Sequence, residues 1–90
     1  MSGIRVLLVD DHSIVREGLR QVLVAADGFE VVGEAGDSEQ ALALALELRP
    51  DVVLLDINLP GRSGLEVAGE LRRRVPETRI PLMFVSTATR

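Results

Sequence analysis

Three aspartates stand at the ends of two short apolar runs, and their number and spacing suggest a site. Ile4-Arg5-Val6-Leu7-Leu8-Val9 runs into Asp10-Asp11, and Val52-Val53-Leu54-Leu55 runs into Asp56. Carboxylates gathered in one place repel each other unless a proton or a hard cation joins them. Carboxylate oxygens at this density, in a chain with no cysteine and one histidine, suit Mg²⁺ far better than Zn²⁺. A carboxylate beside such a cation can also attack phosphorus, provided that donors hold the transferred group. Asp10 and Asp11 are then candidates to hold Mg²⁺, Asp56 to be the nucleophile, and Asn58 to offer its backbone carbonyl to the metal. Ser86, or Thr87 as its alternative, could donate a hydroxyl to a phosphoryl oxygen. The plainer alternative is that an aspartate after a strand caps the next helix, and Asp11 or Ser13 could do only that.

Three acids from distant parts of the chain meet only if the two runs are neighbouring strands of one sheet. Short branched-apolar runs bounded by polar residues read as buried parallel strands, and open parallel sheets carry their sites at the carboxyl ends of the strands. Residues 4–9 form the first strand. From Ser13 to Ala26 the apolar positions Ile14, Val15, Leu19, Val22, Leu23 and Ala26 recur with a helical period, and Asp27-Gly28 gives a stop. Phe29 to Ala35 is the second strand. Asp37 or Ser38 caps a second helix running from Glu39 to Leu48, with Gln40 at capping-box spacing from Asp37 and Pro50 ending it. Val52 to Leu55 is the third strand, followed by the turn residues Asn58-Leu59-Pro60-Gly61. Ser63-Gly64-Leu65-Glu66 is a capping box opening a third helix to about Val75, and Ile80 to Val85 is a fourth strand. Alternation of this kind predicts an α/β fold with a doubly wound parallel sheet, right-handed crossovers and helices on both faces.

Ninety residues make at most one domain, here residues 1–90, burying roughly two-thirds of its unfolded surface. With 47% hydrophobic residues but only Phe29 and Phe84 as aromatics, the core must be built from Leu, Val, Ile and Ala. The net charge of −4 argues against a nucleic-acid surface, and all ten bases are arginine. Arg72-Arg73-Arg74, the one basic cluster, reads as the solvated last turn of a helix. No run is long enough to span a membrane or to serve as a signal-peptide core, so a soluble cytoplasmic chain without a membrane partner is expected.

The residues also carry a resemblance. Val9-Asp10-Asp11-His12-Ser13-Ile14-Val15-Arg16-Glu17-Gly18-Leu19 resembles the opening of a bacterial response regulator receiver domain, of the subgroup that precedes a helix-turn-helix DNA-binding domain. Asp56-Ile57-Asn58-Leu59-Pro60, followed by Gly64, is similar to the family's phosphorylation loop, with Leu59 where Met is common. The resemblance implies a flavodoxin-like sheet with strand order 2-1-3-4 over the βαβαβαβ portion, which makes the first and third strands neighbours. It implies a phosphoacceptor of two-component signalling rather than an enzyme, with a phosphohistidine on a sensor histidine kinase as donor. Asp56 would be the phosphoacceptor; Asp11, Asp56 and the Asn58 carbonyl the direct Mg²⁺ ligands; Asp10 the acid holding a metal-bound water; and Ser86 the hydroxyl residue. His12 is read as a helix-start residue beside the acids.

Against the family pattern, the ninety residues lack a fourth helix, a fifth strand with its lysine and a fifth helix, and lysine is absent throughout. A C-terminally shortened receiver is therefore expected, with the fourth strand as an uncovered edge that invites self-association. The competing function is a phosphorylation-independent interaction or dimerisation module, in which Asp56→Asn would leave partner binding unchanged. A nucleotide- or flavin-binding fold is disfavoured, because no glycine-rich phosphate loop follows the first strand.

Overall fold

The computed structural model describes residues 3–83. Val, Ile and Leu fill the strands because their side chains pack well on a pleated surface. They form β1 (Ile4–Val9), β2 (Phe29–Ala35) and β3 (Val52–Asp56), interleaved with α1 (Ser13–Ala25), α2 (Ser38–Leu48) and α3 (Gly64–Arg74). β1 lies in the middle, parallel to β2 on one side and to β3 on the other. Leu82–Met83 pair in parallel with Leu55 and Asp56 as β4, so the order is β2-β1-β3-β4.

The main cluster of the core lies on one face of the sheet. Leu7 and Val9 of β1 and Val53 and Leu55 of β3 meet Ala41 and Ala45 of α2 and Val67, Ala68 and Leu71 of α3. Small residues on α2 let that helix approach the strands closely, while α3 supplies the bulk. At Gly33 of β2 an added Cβ would lie 2.9 Å from a Leu48 methyl and 3.3 Å from a Leu7 methyl. β1 and β2 slip register there: Val6 pairs with Val31 but Leu7 with Gly33, leaving Val32 as the extra residue of a bulge.

α1 packs on β1 and β2, and Val6 and Leu8 of β1 are also fully buried. The period that marks α1 in the sequence is wider than the stripe it buries. Val15, Leu19 and Leu23, four residues apart, are half-buried, whereas Ile14 is 84% exposed and Val22 65%.

The local signals act largely where they were expected. The Asp37 carboxylate accepts from Gln40 N–H at 2.8 Å, and Gln40 Oε1 accepts from Gly36 N–H at 2.8 Å, so the two side chains close the start of α2. Ser63 Oγ accepts from Glu66 N–H at 3.2 Å at the start of α3. Arg49 ends α2 in the left-handed conformation, with Pro50 next. Arg72, Arg73 and Arg74 form the exposed last turn of α3, next to the helix's negative pole.

One boundary differs from expectation. The fourth strand begins at Leu82 rather than Ile80. The carbonyls of Arg79 and Pro81 do accept from Val53 and Leu55 of β3, but Pro81 has no N–H to return, and the ladder is regular only beyond it. Phe84, Val85 and the expected remainder of that edge lie outside the described residues.

Candidate functional site

The register of two strands builds the site. Val9 pairs with Leu55 across the β1–β3 ladder, so the residues that follow, Asp10 and Asp56, emerge side by side at the carboxyl edge. Adjacent strands are about 4.8 Å apart, which sets the scale of their separation. Both are interior groups, Asp10 0% and Asp56 1% exposed. Asp11, the next residue along, is partly exposed at the rim. One carboxylate oxygen each from Asp10, Asp11 and Asp56, and one His12 ring nitrogen, lie within 4.8 Å of one another.

Each acid is aimed by short local bonds. Asp10 Oδ1 accepts from the His12 backbone N–H at 2.7 Å, and Asp56 Oδ1 accepts from the Asn58 N–H at 3.0 Å. Both are turns in which an aspartate bonds the backbone two residues on. The Asp10 N–H donates to the Ala35 carbonyl of β2 at 3.0 Å, and the Arg16 guanidinium donates to the Asp10 carbonyl. Arg16 Nε also reaches Glu34 of β2 at 3.1 Å, so one α1 side chain ties the end of β1 to the neighbouring strand.

Glycine and arginine close the other wall. An added Cβ at Gly64 would lie 2.7 Å from Ile57 Cα and would also meet the Asp56 carbonyl, while the Gly64 N–H donates to the Ile57 carbonyl at 2.7 Å. Only a residue without a side chain lets α3 start so close to the strand carrying Asp56. Arg62 donates to Glu70 Oε1 at 2.6 Å, fastening the β3–α3 loop to α3. That hydrogen bond, helped by the charges of Arg62, Arg74 and Arg73, holds the Glu70 carboxyl below its ordinary value.

The electrostatics follow from the packing. Burial pushes the Asp56 carboxyl above its ordinary value, and the negative charges of Asp10 and Asp11 push the same way, while the Asn58 N–H pulls it down. Asp10 Oδ2 is buried and has no hydrogen-bond partner. An orphaned carboxylate oxygen facing two more acids is a site short of positive charge, and the oxygen-rich donor set fits a hard divalent cation.

The structure thus brings Asp10, Asp11 and Asp56 together and sets Asn58 against Asp56. Ser86 and Thr87 lie outside the described residues. Neither Asp11 nor Ser13 caps α1: the N-cap position belongs to His12, whose side chain makes no cap bond. The imidazole turns to the acids instead, Nδ1 lying 2.9 Å from Asp11 Oδ1 and 3.2 Å from Asp10 Oδ1. His12 is the helix-start residue beside the acids that the sequence indicates. Arg16, one helical turn beyond it, is the contributor that the sequence reading missed.

Residues 6–90 match the family model described as the response regulator receiver domain. The chain is 48% identical over 82 residues to the response regulator GacA of Pseudomonas viridiflava, covering 91% of this chain and 38% of that protein. It is 44% identical over 81 residues to the nitrate/nitrite response regulator protein NarL of Escherichia coli K12, covering 90% and 38%. It therefore spans about two-fifths of the length of these relatives. Among solved structures it superimposes on a LuxR-family two-component response regulator from Aurantimonas sp. SI85-9A1 with a TM-score of 0.88 and 40% identity, over 96% of this chain and 61% of that one. The response regulator domain of Thermotoga maritima CheB gives a TM-score of 0.84 and 35% identity, over 89% and 59%. Among the described residues, no helix is long and apolar enough to cross a membrane.

Proposed function

This chain belongs to the response regulator receiver domain family, and on that premise we propose that it takes a phosphoryl group from a sensor histidine kinase onto Asp56, with Mg²⁺ bound beside it. The observation that carries this reading is the buried pair Asp10 and Asp56, set side by side by the β1–β3 register, with one carboxylate oxygen left without a partner. Asp11, Asp56 and the Asn58 carbonyl would be direct ligands of the cation, and Asp10 would hold a water bound to it. When present, the cation supplies the positive charge that lets an anionic donor approach three acids.

The chain's own residues supply the rest. An Asp56 carboxylate oxygen attacks the phosphorus, and the bond from phosphorus to the donor imidazole nitrogen breaks in line with the attack. The Asn58 N–H fixes the Asp56 rotamer from one side, so the other oxygen is left for the reaction. The β3–α3 loop, held by Gly64 and by the Arg62–Glu70 pair, keeps that geometry from relaxing. Ser86, or Thr87 in its place, would donate a hydroxyl to a phosphoryl oxygen. We read residues 1–90 as one receiver unit and Leu82–Met83 as the opening of its fourth full strand. On this reading the sensor kinase is the partner and the three-acid pocket receives the phosphoryl group.

The test is to incubate the chain with acetyl phosphate and Mg²⁺ and measure the intact mass. The expected result is one added phosphoryl group, absent in Asp56→Asn and absent when the cation is chelated. Modification that persists in Asp56→Asn, or that never occurs, counts against the proposal.

A further inference from the structure

Arg16 stands in the first motif of the sequence, yet the phosphoryl-transfer reading gives it no task. It lies in the first turn of α1, and its guanidinium is held at two points. Nη1 donates to the Asp10 carbonyl, and Nε donates to Glu34 Oε1 at 3.1 Å. The other oxygen of Glu34 faces Arg20 Nε at 3.6 Å, so one carboxylate of β2 anchors two arginines of α1. An added Cβ at Gly36 would lie 3.4 Å from Arg16 Nη1, so the same guanidinium covers the chain just beyond β2. Only 21% of the Arg16 side chain is exposed, and a planar fork fixed in this way loses little freedom in each bond that it makes.

The carbonyl that Arg16 holds belongs to the peptide joining the two aspartates at the end of β1. A peptide is planar, so fixing the Asp10 C=O also fixes the Asp11 N–H and Cα. Asp11 needs such a constraint, because it is the acid at the partly exposed rim, whereas Asp10 is fully buried. Asp10 has ties of its own: its N–H donates to the Ala35 carbonyl at 3.0 Å, and its Oδ1 accepts from the His12 N–H at 2.7 Å. Arg16 adds the tie on the carbonyl side, and a charged donor makes that bond roughly twice as strong as a neutral one.

We infer that Arg16 is a positioning residue of the phosphoryl-transfer site: by holding the Asp10–Asp11 peptide it aims the two acids, Asp11 above all, at the cation. The inference rests on the cation site and the transfer proposed above and adds a residue to them. Charge and geometry lead to opposite results. A guanidinium acting by its charge alone repels a divalent cation, so its loss would tighten binding, by an amount that the neighbouring Glu34 carboxylate reduces. A strap that only joined α1 to β2 would leave the affinity of the folded protein unchanged. Positioning makes the loss of Arg16 weaken binding, because outer groups that orient ligands are worth roughly ten- to a hundredfold in metal affinity.

The test is titration of the 90-residue chain with MgCl₂, followed by calorimetry and by the amide NMR signal of Asp11, with thermal melts to establish that each variant is folded. In Arg16→Gln the Mg²⁺ Kd should rise roughly tenfold, and the Asp11 signal should move in the cation-free protein. Arg16→Lys keeps the charge but lacks the fork, so a rise of about threefold is expected. Glu34→Gln leaves the carbonyl bond and removes only a partly exposed ion pair, so its Kd should stay within about twofold. With acetyl phosphate as donor, the half-saturating Mg²⁺ concentration should rise in step with Kd, by a larger factor than the saturated rate falls. Unchanged or tighter Mg²⁺ binding in Arg16→Lys overturns the inference, whether or not Arg16→Gln folds. A loss in Glu34→Gln as large as that in Arg16→Gln assigns the effect to the strap and overturns it too. Both results leave the proposed function standing, whereas a wild-type chain that binds no Mg²⁺ removes the cation site and the inference with it.

Discussion

Replacing Asp10 by asparagine should make the cation-free protein more stable, although the residue sits at the centre of the candidate site. The substitution keeps the shape and the Oδ1 acceptor for the His12 N–H. It removes one of two buried like charges and exchanges the unpartnered Oδ2 for an amide that can donate to a neighbouring carboxylate. The carboxylate oxygens of Asp10 and Asp56 lie within 4.8 Å. Coulomb's law at an effective dielectric of about 20 puts the repulsion of two unit charges at that distance near 3.5 kcal/mol. Relaxation and the nearby imidazole offset part of this, leaving an expected gain of about 1–3 kcal/mol. For a chain of this size each kcal/mol raises the melting temperature by roughly 4–8 °C. Excess Mg²⁺ should narrow the gap. At a hundred times its Kd a ligand adds about 2.7 kcal/mol to the wild type, and the variant, having lost one of the acids, gains less. Circular dichroism melts in EDTA and then in Mg²⁺ read both effects. A variant that melts at or below the wild type in EDTA refutes the argument, and so does an equal Mg²⁺ shift in the two proteins.

Two other outcomes follow from the same geometry. Gly64→Ala should destabilise the chain by about 1–3 kcal/mol or more, because the new methyl meets backbone rather than a movable side chain; urea unfolding midpoints check this, and an unchanged midpoint contradicts the close approach. Asp56 has its carboxyl raised by burial and then by its acidic neighbours, so between its unfolded value and its higher folded value the native state binds more protons and cation-free stability falls as pH rises. The fall should be visible in unfolding measurements from about pH 4 upward; it should flatten in Asp56→Asn, and an equal slope in both proteins would count against the raised carboxyl.

Legibility tracked the range of the interaction involved. Asp37 and Ser63 were readable as caps because each bond spans only three residues and asks nothing of the rest of the chain. β1 and β2 were readable end to end because branched apolar runs stop at polar or glycine residues. Gly64 was visible through its offset from Asp56, but its cause, contact with the Asp56 and Ile57 backbone, was not. The start of β4 was misjudged because apolar character continues through Ile80 and Pro81, while the ladder depends on an N–H that Pro81 lacks. The period over Ser13 to Ala26 marked α1 correctly, but periodicity does not say how much sheet lies beneath a helix, and Ile14 and Val22 stay exposed.

By itself the sequence determined the elements, their order, and the fact that two strands end in aspartate. These follow from local propensity and patterning, which act within a few residues. Only the tertiary structure decided that Asp10 and Asp56, forty-six positions apart, share one pocket, because that depends on β3 docking beside β1 with Val9 opposite Leu55. The same docking left Asp10 Oδ2 without a partner. The contacts of His12 are local by comparison, reaching the two aspartates immediately before it, and needed no such docking.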